Sequence, residues 1–345
     1  MGFVTEPFVP RKRIRGGHTQ TIVGNFMRRE NPLPPGERRH FLIEEGVEIV
    51  AVCHWQPNPT SAPTVLIVHG LEGSIDSNYV IGTGSKAWKR GMNVVRMNMR
   101  NCGGTDELSR TLYHSGLSTD IAHVVRILIE QKGLPTLSLV GFSMGGNLVL
   151  KCAGEWADDA PPQIRAVVGV SPAMDLAPSA AALSEPRNRI YELKFMRALR
   201  KRYSRKRELF PDLYEDVRLP MLAGIWDFDE HITARYSGFN GADDYYARAS
   251  ASRVIDQIRL PTLIIHALDD PFIRVTVQTR AKALANPAIT YIETQHGGHC
   301  AFIAEPHGYD GRWAEKTAVD FIAEQSGELL PERHGEDAML PRVRD

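Results

Sequence analysis

The feature that most constrains the fold of this chain is a serine between two glycines, where a short apolar run meets the start of a helix. The run Leu137–Phe142 has the composition of a buried strand, and it overlaps the pattern Gly141-x-Ser143-x-Gly145. A serine on so tight a turn has strained backbone angles, and its close-facing neighbours need minimal side chains. The pattern predicts a nucleophile elbow, with the Ser143 hydroxyl above the sheet and the Met144 N–H at a helix N-terminus.

Alternating strand and helix patterns surround this turn. The continuous apolar runs 64–68, 166–170 and 260–266 are typical of strands buried on both faces, as in parallel sheets. The stretch 117–132 has the apolar spacing of an amphipathic helix and is followed by Gly133, a common helix stop. We therefore predict an α/β fold in which helices cover both faces of a mostly parallel central sheet.

The other predicted elements are a hairpin (40–44 and 47–55), helices (79–90, 275–284 and 312–325) and strands (93–99 and 290–293). The alternation stops between residues 174 and 247, which predicts a helical cap over the edge of the sheet where ligands bind. The predicted parts are a core segment 1–173 with an irregular lead-in over 1–38, a cap or lid insertion 174–247, a core segment 248–325 and a tail 326–345.

The composition argues against several classes of function. Lys and Arg number 41, as do Asp and Glu, so the net charge is zero and no nucleic-acid-binding surface is expected. No apolar run approaches bilayer-spanning length, and residues 1–15 lack the apolar centre of a secretion signal. Cys53, Cys102, Cys152 and Cys300 are scattered, as is typical of reduced, buried thiols, so we expect a cytoplasmic protein.

A serine hydroxyl needs a nearby base to become a useful nucleophile. In this topology the acid and then the histidine follow the serine along the chain. Of the two histidines in the loop after the last strand, we choose His299 over His296. The two glycines that precede His299 allow the loop to swing its imidazole towards Ser143.

The base in turn needs an acid that orients it. An acidic turn with Asp269 and Asp270 follows the strand before the histidine loop. We choose Asp270 because it lies three residues past the strand end and Pro271 stiffens the turn after it. The predicted catalytic triad is therefore Ser143, Asp270 and His299.

An oxyanion hole requires a second backbone donor besides the N–H of Met144. The segment 69–73, with the sequence HGLEG, follows the first buried strand, where this architecture places that donor. We predict that the backbone N–H of Leu71 is the donor.

Two apparent ligand motifs are discounted. The glycine-rich segment 82–87 lies within a predicted helix rather than after a strand, so it does not indicate a dinucleotide site. The acidic segment 227–231 has no second ligand group at matching spacing, so hydrogen-bonded turn residues are expected there. We predict no metal and no cofactor.

The stretch 187–210 is strongly basic, with ten basic and two acidic residues. It predicts a cap helix with a solvated basic side and an apolar stripe packed on the sheet, the stripe being Ile190, Leu193, Met196, Leu199 and Tyr203. The alternative is a surface that contacts anionic lipid headgroups or fatty acyl carboxylates.

Taken together, these motifs resemble the α/β-hydrolase superfamily and, within it, the YheT-like branch (the AB hydrolase type-4 subfamily). The resemblance covers about residues 18–322 and adds the segments HTQT at 18–21, NMRNCGG at 98–104, FDEHIT at 228–233, GF at 238–239 and DYY at 244–246. It implies a serine hydrolase of carboxylic esters, with Ser143, Asp270 and His299 as the matching triad. Eukaryotic members of the branch act on acylglycerols, phospholipids or medium-chain acyl esters, and some transfer acyl groups to alcohols.

The residues and the resemblance together predict a serine esterase that forms an acyl-enzyme with a small-molecule acyl ester. The cap is expected to line the acyl pocket and to set the preference for chain length. Two alternatives remain open, an acyltransferase with the same acyl-enzyme and a catalytically silent fold that acts as a ligand receptor or scaffold.

Overall fold

An eight-stranded sheet forms the centre of the computed structural model, which describes residues 3–27, 29–215 and 222–327. Its strands are β1 Glu37–Glu44, β2 Val47–His54, β3 Thr64–Val68, β4 Asn93–Met97, β5 Leu137–Phe142, β6 Ile164–Val170, β7 Thr262–Ala267 and β8 Ile289–Thr294. Their spatial order is β1-β2-β4-β3-β5-β6-β7-β8, in which β1 and β2 form an antiparallel hairpin and β3 to β8 run parallel. The predicted fold class is confirmed.

Helices cover both faces of this sheet. They are α1 Gly17–Phe26, α2 Asn78–Lys89, α3 Ser118–Lys132, α4 Met144–Trp156, α5 Leu176–Leu183, α6 Arg189–Leu209, α7 Ile225–Phe228, α8 Ala242–Ala249, α9 Val277–Ala285 and α10 Trp313–Gln325. Alternate residues of β3 divide the core, with Val65 and Ile67 packing with α2 and α10 and Leu66 and Val68 with α3, α4 and α9. The helices predicted in the core are confirmed to within two residues at each end.

The predicted irregular lead-in is wrong where α1 forms. The buried residues of this helix are Gly17, Gln20 and Thr21, so it has no apolar stripe that a sequence pattern could reveal. Gln20 is fully buried, and its side-chain amide accepts the Ile303 N–H at 2.7 Å and donates to the Ile303 carbonyl at 3.1 Å. Long-range hydrogen bonds rather than local propensity therefore fix α1.

Between β6 and β7, the described residues form helices and no strand. These are α5, α6, α7 with its π-helical continuation Asp229–Ala234, and α8. Their apolar side chains pack in one cluster that also includes Leu112, Phe272 and Ile273 of the core. The division into core, cap and tail remains a prediction, and nearly all of the tail 326–345 lies outside the described residues.

The predicted inward stripe of α6 is wrong at its N-terminal end. Ile190 and Leu193 are 65% and 52% exposed. Tyr191 and Phe195 instead pack against Phe272, with ring centroids 5.2 and 6.1 Å apart. An evenly spaced stripe presumes one flat contact, whereas the first turns of α6 pack against a core loop.

In the part of the chain that the structure describes, no helix is long and apolar enough to cross a membrane.

The predicted solvated basic side of α6 is also wrong in part. The side chain of Arg202 is 13% exposed, and that of Lys206 is fully buried. The ammonium of Lys206 donates to Asn101 Oδ1 at 2.8 Å and to the Asp106 carbonyl at 2.9 Å. Two cations of this helix therefore bind polar groups of the core loops.

Candidate active site

The elbow has the geometry that its glycines predict. Ser143, between β5 and α4, has φ 54° and ψ −116°, and its N–H donates to the Val170 carbonyl at 2.9 Å. A Cβ on Gly141 would collide with the carbonyl of Gly145, and one on Gly145 with the carbonyl of His69. Both glycines are required because the backbone segments approach each other too closely for any side chain.

Ser143, His299 and Asp270 form a continuous hydrogen-bonded chain. His299 Nε2 lies 2.9 Å from Ser143 Oγ, and its Nδ1 lies 2.8 Å from Asp270 Oδ2. The other carboxylate oxygen, Oδ1, accepts the N–H groups of Phe272 at 3.1 Å and Ile273 at 2.9 Å. The fully buried carboxylate of Asp270 is thus held by the turn that follows it.

The charge of Asp270 fixes the tautomer of the His299 imidazole. Burial tends to raise the pKa of Asp270, but its interaction with His299 outweighs this and holds the pKa below its ordinary value. Burial tends to lower the pKa of His299, but Cys300 and Asp270 outweigh it and raise that pKa well above its ordinary value. A carboxylate can only accept, so Nδ1 carries the proton and Nε2 of the neutral ring accepts from Ser143.

Asp269 and His296, the alternatives to Asp270 and His299, lie beside the triad and contact each other. Asp269 Oδ2 is 3.3 Å from His296 Nδ1, and the imidazole of His296 is 45% exposed. Asp269 Oδ1 accepts the N–H of Gly298 at 2.9 Å. The side chains of both aspartates therefore hold the histidine loop. Asp269 bonds a backbone N–H of the loop, and Asp270 bonds the imidazole of His299.

Helix α1 supports the histidine loop, a role that was not predicted from the sequence. The N–H of His299 donates to Thr21 Oγ1 at 2.8 Å, and this hydroxyl donates to the Gly17 carbonyl at 2.7 Å. Gln20 bonds the same loop through both backbone groups of Ile303. The segment HTQT at 18–21 was the only signal, and its residue types alone indicate no contact.

Two backbone donors of the pocket that contains Ser143 have no hydrogen-bond partner among the described residues. The N–H groups of Leu71 and Met144 donate to no protein acceptor in the described part of the chain. Leu71 lies in a turn closed by the Gly73 N–H and the Gly70 carbonyl at 3.0 Å. Both residues line the same pocket as Ser143. Unpaired N–H groups beside a nucleophile suit a developing oxyanion.

The buried His69 supports this turn. Its Nδ1 lies 2.7 Å from the Gly70 carbonyl, and its Nε2 accepts the Met99 N–H at 3.0 Å. Burial lowers the pKa of His69 to about 4, so the ring is neutral near pH 7. Both ring nitrogens have partners, and His69 is therefore a structural residue of the turn.

A pocket of about 940 Å³, measured out to its open mouth, lies beside Ser143. Many of its walls are apolar side chains from the helices between β6 and β7, including Leu176, Leu183, Phe195, Leu199 and Phe228. Asp229 also lines it and accepts hydrogen bonds from Thr233 and Tyr246, both at 2.7 Å. Burial raises the pKa of Asp229 to about 6. The pocket suits an apolar group attached to a carbonyl at Ser143.

The two discounted motifs have structural roles. The segment 82–87 lies inside α2. In the acidic segment, Asp227 and Glu230 accept the backbone N–H groups of Ala223 at 2.7 Å and Ala242 at 2.6 Å. Among the residues that the structure describes, no group of three or more His, Cys, Asp or Glu residues could hold a metal ion.

Comparisons with known proteins agree with this architecture. Residues 63–306 match the family described as alpha/beta hydrolase fold. The putative esterase YheT of Escherichia coli (strain K12) is 32% identical over 320 residues, which cover 91% of this chain and 92% of that protein. Phospholipase ABHD3 of Mus musculus is 26% identical over 345 residues, covering 97% of this chain and 81% of that protein.

Among solved structures, Est1E from Butyrivibrio proteoclasticus superposes with a TM-score of 0.53 at 18% identity, covering 85% of this chain and 99% of that one. At this identity the likeness shows the fold alone. The family match over residues 63–306, together with 32% identity to a relative over nearly its whole length, shows that this chain belongs to the α/β-hydrolase family, in its YheT-like branch.

Proposed function

We propose that this protein is a serine carboxylic-ester hydrolase that acts through an acyl-enzyme on Ser143. The observation that carries the proposal is the chain Ser143–His299–Asp270, with hydrogen bonds of 2.9 and 2.8 Å. The unpartnered N–H groups of Leu71 and Met144 supply the other requirement of acyl transfer, a site for the oxyanion.

The mechanism follows from these positions. His299 Nε2 takes the hydroxyl proton as Ser143 attacks the ester carbonyl, and the N–H groups of Leu71 and Met144 bind the tetrahedral oxyanion. Asp270 stabilises the imidazolium, which gives its proton to the leaving alcohol. His299 then deprotonates a water that attacks the acyl-enzyme and releases the acid.

The apolar pocket supports a small-molecule acyl ester as the substrate, either a short- to medium-chain ester or an acylglycerol. The names of the two relatives, a putative esterase and a phospholipase, agree with an acyl ester. In this proposal the segment 174–247 is a cap that lines the acyl pocket and sets the preference for chain length.

A series of p-nitrophenyl esters from acetate to palmitate tests the proposal. We expect turnover with a maximum at short to medium acyl chains, because the pocket beside Ser143 is apolar and of limited volume. A fluorophosphonate probe should label Ser143 in the same protein. Folded protein that cleaves no ester of the series and takes up no label would contradict the proposal and favour the silent receptor.

Acyl transfer to an alcohol would use the same acyl-enzyme, and product analysis in a mixed alcohol–water solvent separates it from hydrolysis.

Residence in the cytoplasm stays a prediction, based on the scattered cysteines. Three of these thiols are buried, whereas Cys300 is partly exposed with its sulfur 3.7 Å from His299 Nε2, so burial was wrongly predicted for it.

We further propose that the outer face of α6 contacts anionic lipid. The exposed Ile190 and Leu193 lie on this face near Lys194, Arg197 and Lys201, which are also exposed. Apolar side chains among exposed cations are typical of helices that lie at a membrane surface. The largely buried Arg202 and the fully buried Lys206 do not belong to this face.

Sedimentation with vesicles of phosphatidylcholine, with and without phosphatidylserine, tests this contact. We expect Arg197→Ser together with Lys201→Ser to weaken binding to the anionic vesicles about 30-fold, since each basic residue near the surface contributes about 1 kcal/mol. The matched control is Arg126→Ser, an exposed residue of α3. Equal binding by both variants would contradict the proposal.

A further inference from the structure

Arg202 connects helix α6 to the turn that carries the Leu71 N–H. Its Nε and Nη2 donate to the two carboxylate oxygens of Glu72, each at 2.9 Å. The two side chains are 13% and 12% exposed. Glu72 directly follows Leu71, so a bidentate and largely buried ion pair acts one residue away from the proposed oxyanion donor.

Glu72 occupies a position that favours glycine. It is the third residue of the turn closed by Gly70 and Gly73, and its φ is 56°. Type II turns require positive φ at this place, which is unfavourable for a residue that has a Cβ. Local preference therefore does not explain a glutamate here, and the contacts of its side chain must hold the turn.

Tyr113 and Arg202 both bind the carboxylate of Glu72. The Tyr113 hydroxyl donates to Glu72 Oε1 at 2.6 Å and accepts the Glu72 N–H at 3.3 Å. The guanidinium of Arg202 lies 5.2 Å from the centre of the Tyr113 ring. Arg202 Nη1 also donates to the Asn101 carbonyl and, at 3.3 Å, to Asp106 Oδ1. One side chain of α6 thus contacts three segments of the core.

We propose that Arg202 and Glu72 are positioning residues, whose ion pair holds the 70–73 turn so that the Leu71 N–H points at the oxyanion. Seating α6 on the core then completes the oxyanion hole. This inference rests on the proposed function, because the oxyanion arises only in acyl transfer. A guanidinium suits the role because its two parallel bonds fix the orientation of a carboxylate as well as its place.

The test is Arg202→Gln, which removes the positive charge and the two parallel N–H donors to Glu72 but keeps a polar side chain. We expect kcat for p-nitrophenyl butyrate to fall about 10- to 100-fold, somewhat less than the loss of a whole oxyanion donor. KM should stay within about twofold, because a displaced donor affects the transition state more than the bound ester. Arg202→Lys should restore only part of kcat, since an ammonium cannot make two parallel bonds.

Two further variants separate positioning from general stability. Arg205→Gln, on the same helix, removes a 52% exposed arginine that pairs with Glu208, and it should leave kcat and the melting temperature unchanged. Glu72→Gln should reproduce the loss in Arg202→Gln. The double variant should lose no more than either single one, because both break the same pair.

Amide hydrogen exchange measures the stability of the 70–73 turn in the absence of any ester substrate. We expect the hydrogen-bonded amides of Glu72 and Gly73 to exchange faster in Arg202→Gln than in the wild type or Arg205→Gln, with residues 137–150 unchanged. Unchanged exchange in folded Arg202→Gln would overturn the inference, as would unchanged kcat or a loss confined to KM in an active enzyme. If the wild type cleaves no ester, the proposed function fails separately, and the exchange result still decides whether the ion pair holds the turn.

Discussion

Replacing Ser143 with alanine is expected to lower kcat for p-nitrophenyl esters by about 10⁴- to 10⁶-fold and to abolish labelling by a fluorophosphonate. The reason is geometric, because Ser143 Oγ is the hydroxyl that lies 2.9 Å from His299 Nε2. Residual turnover above the rate in water would come from the oxyanion donors and the pocket, which the substitution leaves in place. Steady-state kinetics and mass spectrometry of the labelled peptide measure both effects.

The matched control for this substitution is Ser138→Ala. Ser138 lies on β5, the strand that leads into the elbow, and is 2% exposed with no hydrogen-bond partner for its Oγ. Removing that hydroxyl leaves no group unsatisfied, so turnover and labelling should match the wild type. Most of the activity retained in Ser143→Ala, or a label on another serine, would place the nucleophile elsewhere.

The sheet and the elbow were predictable because each leaves a local signal. Strands buried on both faces require continuous apolar runs, and β3 and β5 are buried at every residue. The elbow requires glycine at positions 141 and 145, where any side chain would meet backbone. Such requirements act within a few residues, and a sequence therefore displays them directly.

The partners of Ser143 were predictable only in chain order. Asp269 and Asp270 are adjacent, and both contact the histidine loop, so residue type could not separate them. What separates them is the direction of each side chain at the end of β7. Asp270 points to the imidazole of His299, which is 13% exposed, whereas Asp269 faces the ring of His296, which is 45% exposed.

The contacts that hold the site from outside the core were not predictable. Gln20, Thr21, Arg202 and Lys206 are polar residues that are wholly or largely buried and bond to partners 105 to 283 residues away in the chain. Polar residues that are satisfied by such distant partners leave no periodic pattern. For this reason the first two residues were expected in an irregular segment and the last two on a solvated helix face.

The second large effect is expected for Asp270→Asn, which should lower kcat by about 10⁴-fold. An amide can donate as well as accept, so it no longer forces the proton onto His299 Nδ1, and the wrong tautomer presents an N–H to Ser143. The loss should appear in acylation and deacylation alike, because His299 acts as the base in both steps. Single-turnover labelling by a fluorophosphonate measures the first step alone.

The pH profile distinguishes this role from a general loss of structure. The ring must be neutral to accept the Ser143 proton, so activity rises with pH as His299 loses its proton. Asp270 helps to raise the pKa of His299, which places the acid limb of kcat/KM above pH 6.5 in the wild type. Removing the carboxylate charge should move that limb to lower pH.

Asp269→Asn is the matched control for this shift. Its amide oxygen can still accept the Gly298 N–H, and Asp269 does not contact the imidazole of His299, so the limb should stay in place and kcat should change little. A limb that stays in place in folded Asp270→Asn would mean that another group sets the charge of His299. Because the two aspartates are adjacent, different results for them would identify the carboxylate that bonds the imidazole as the cause, rather than acidity of the turn in general.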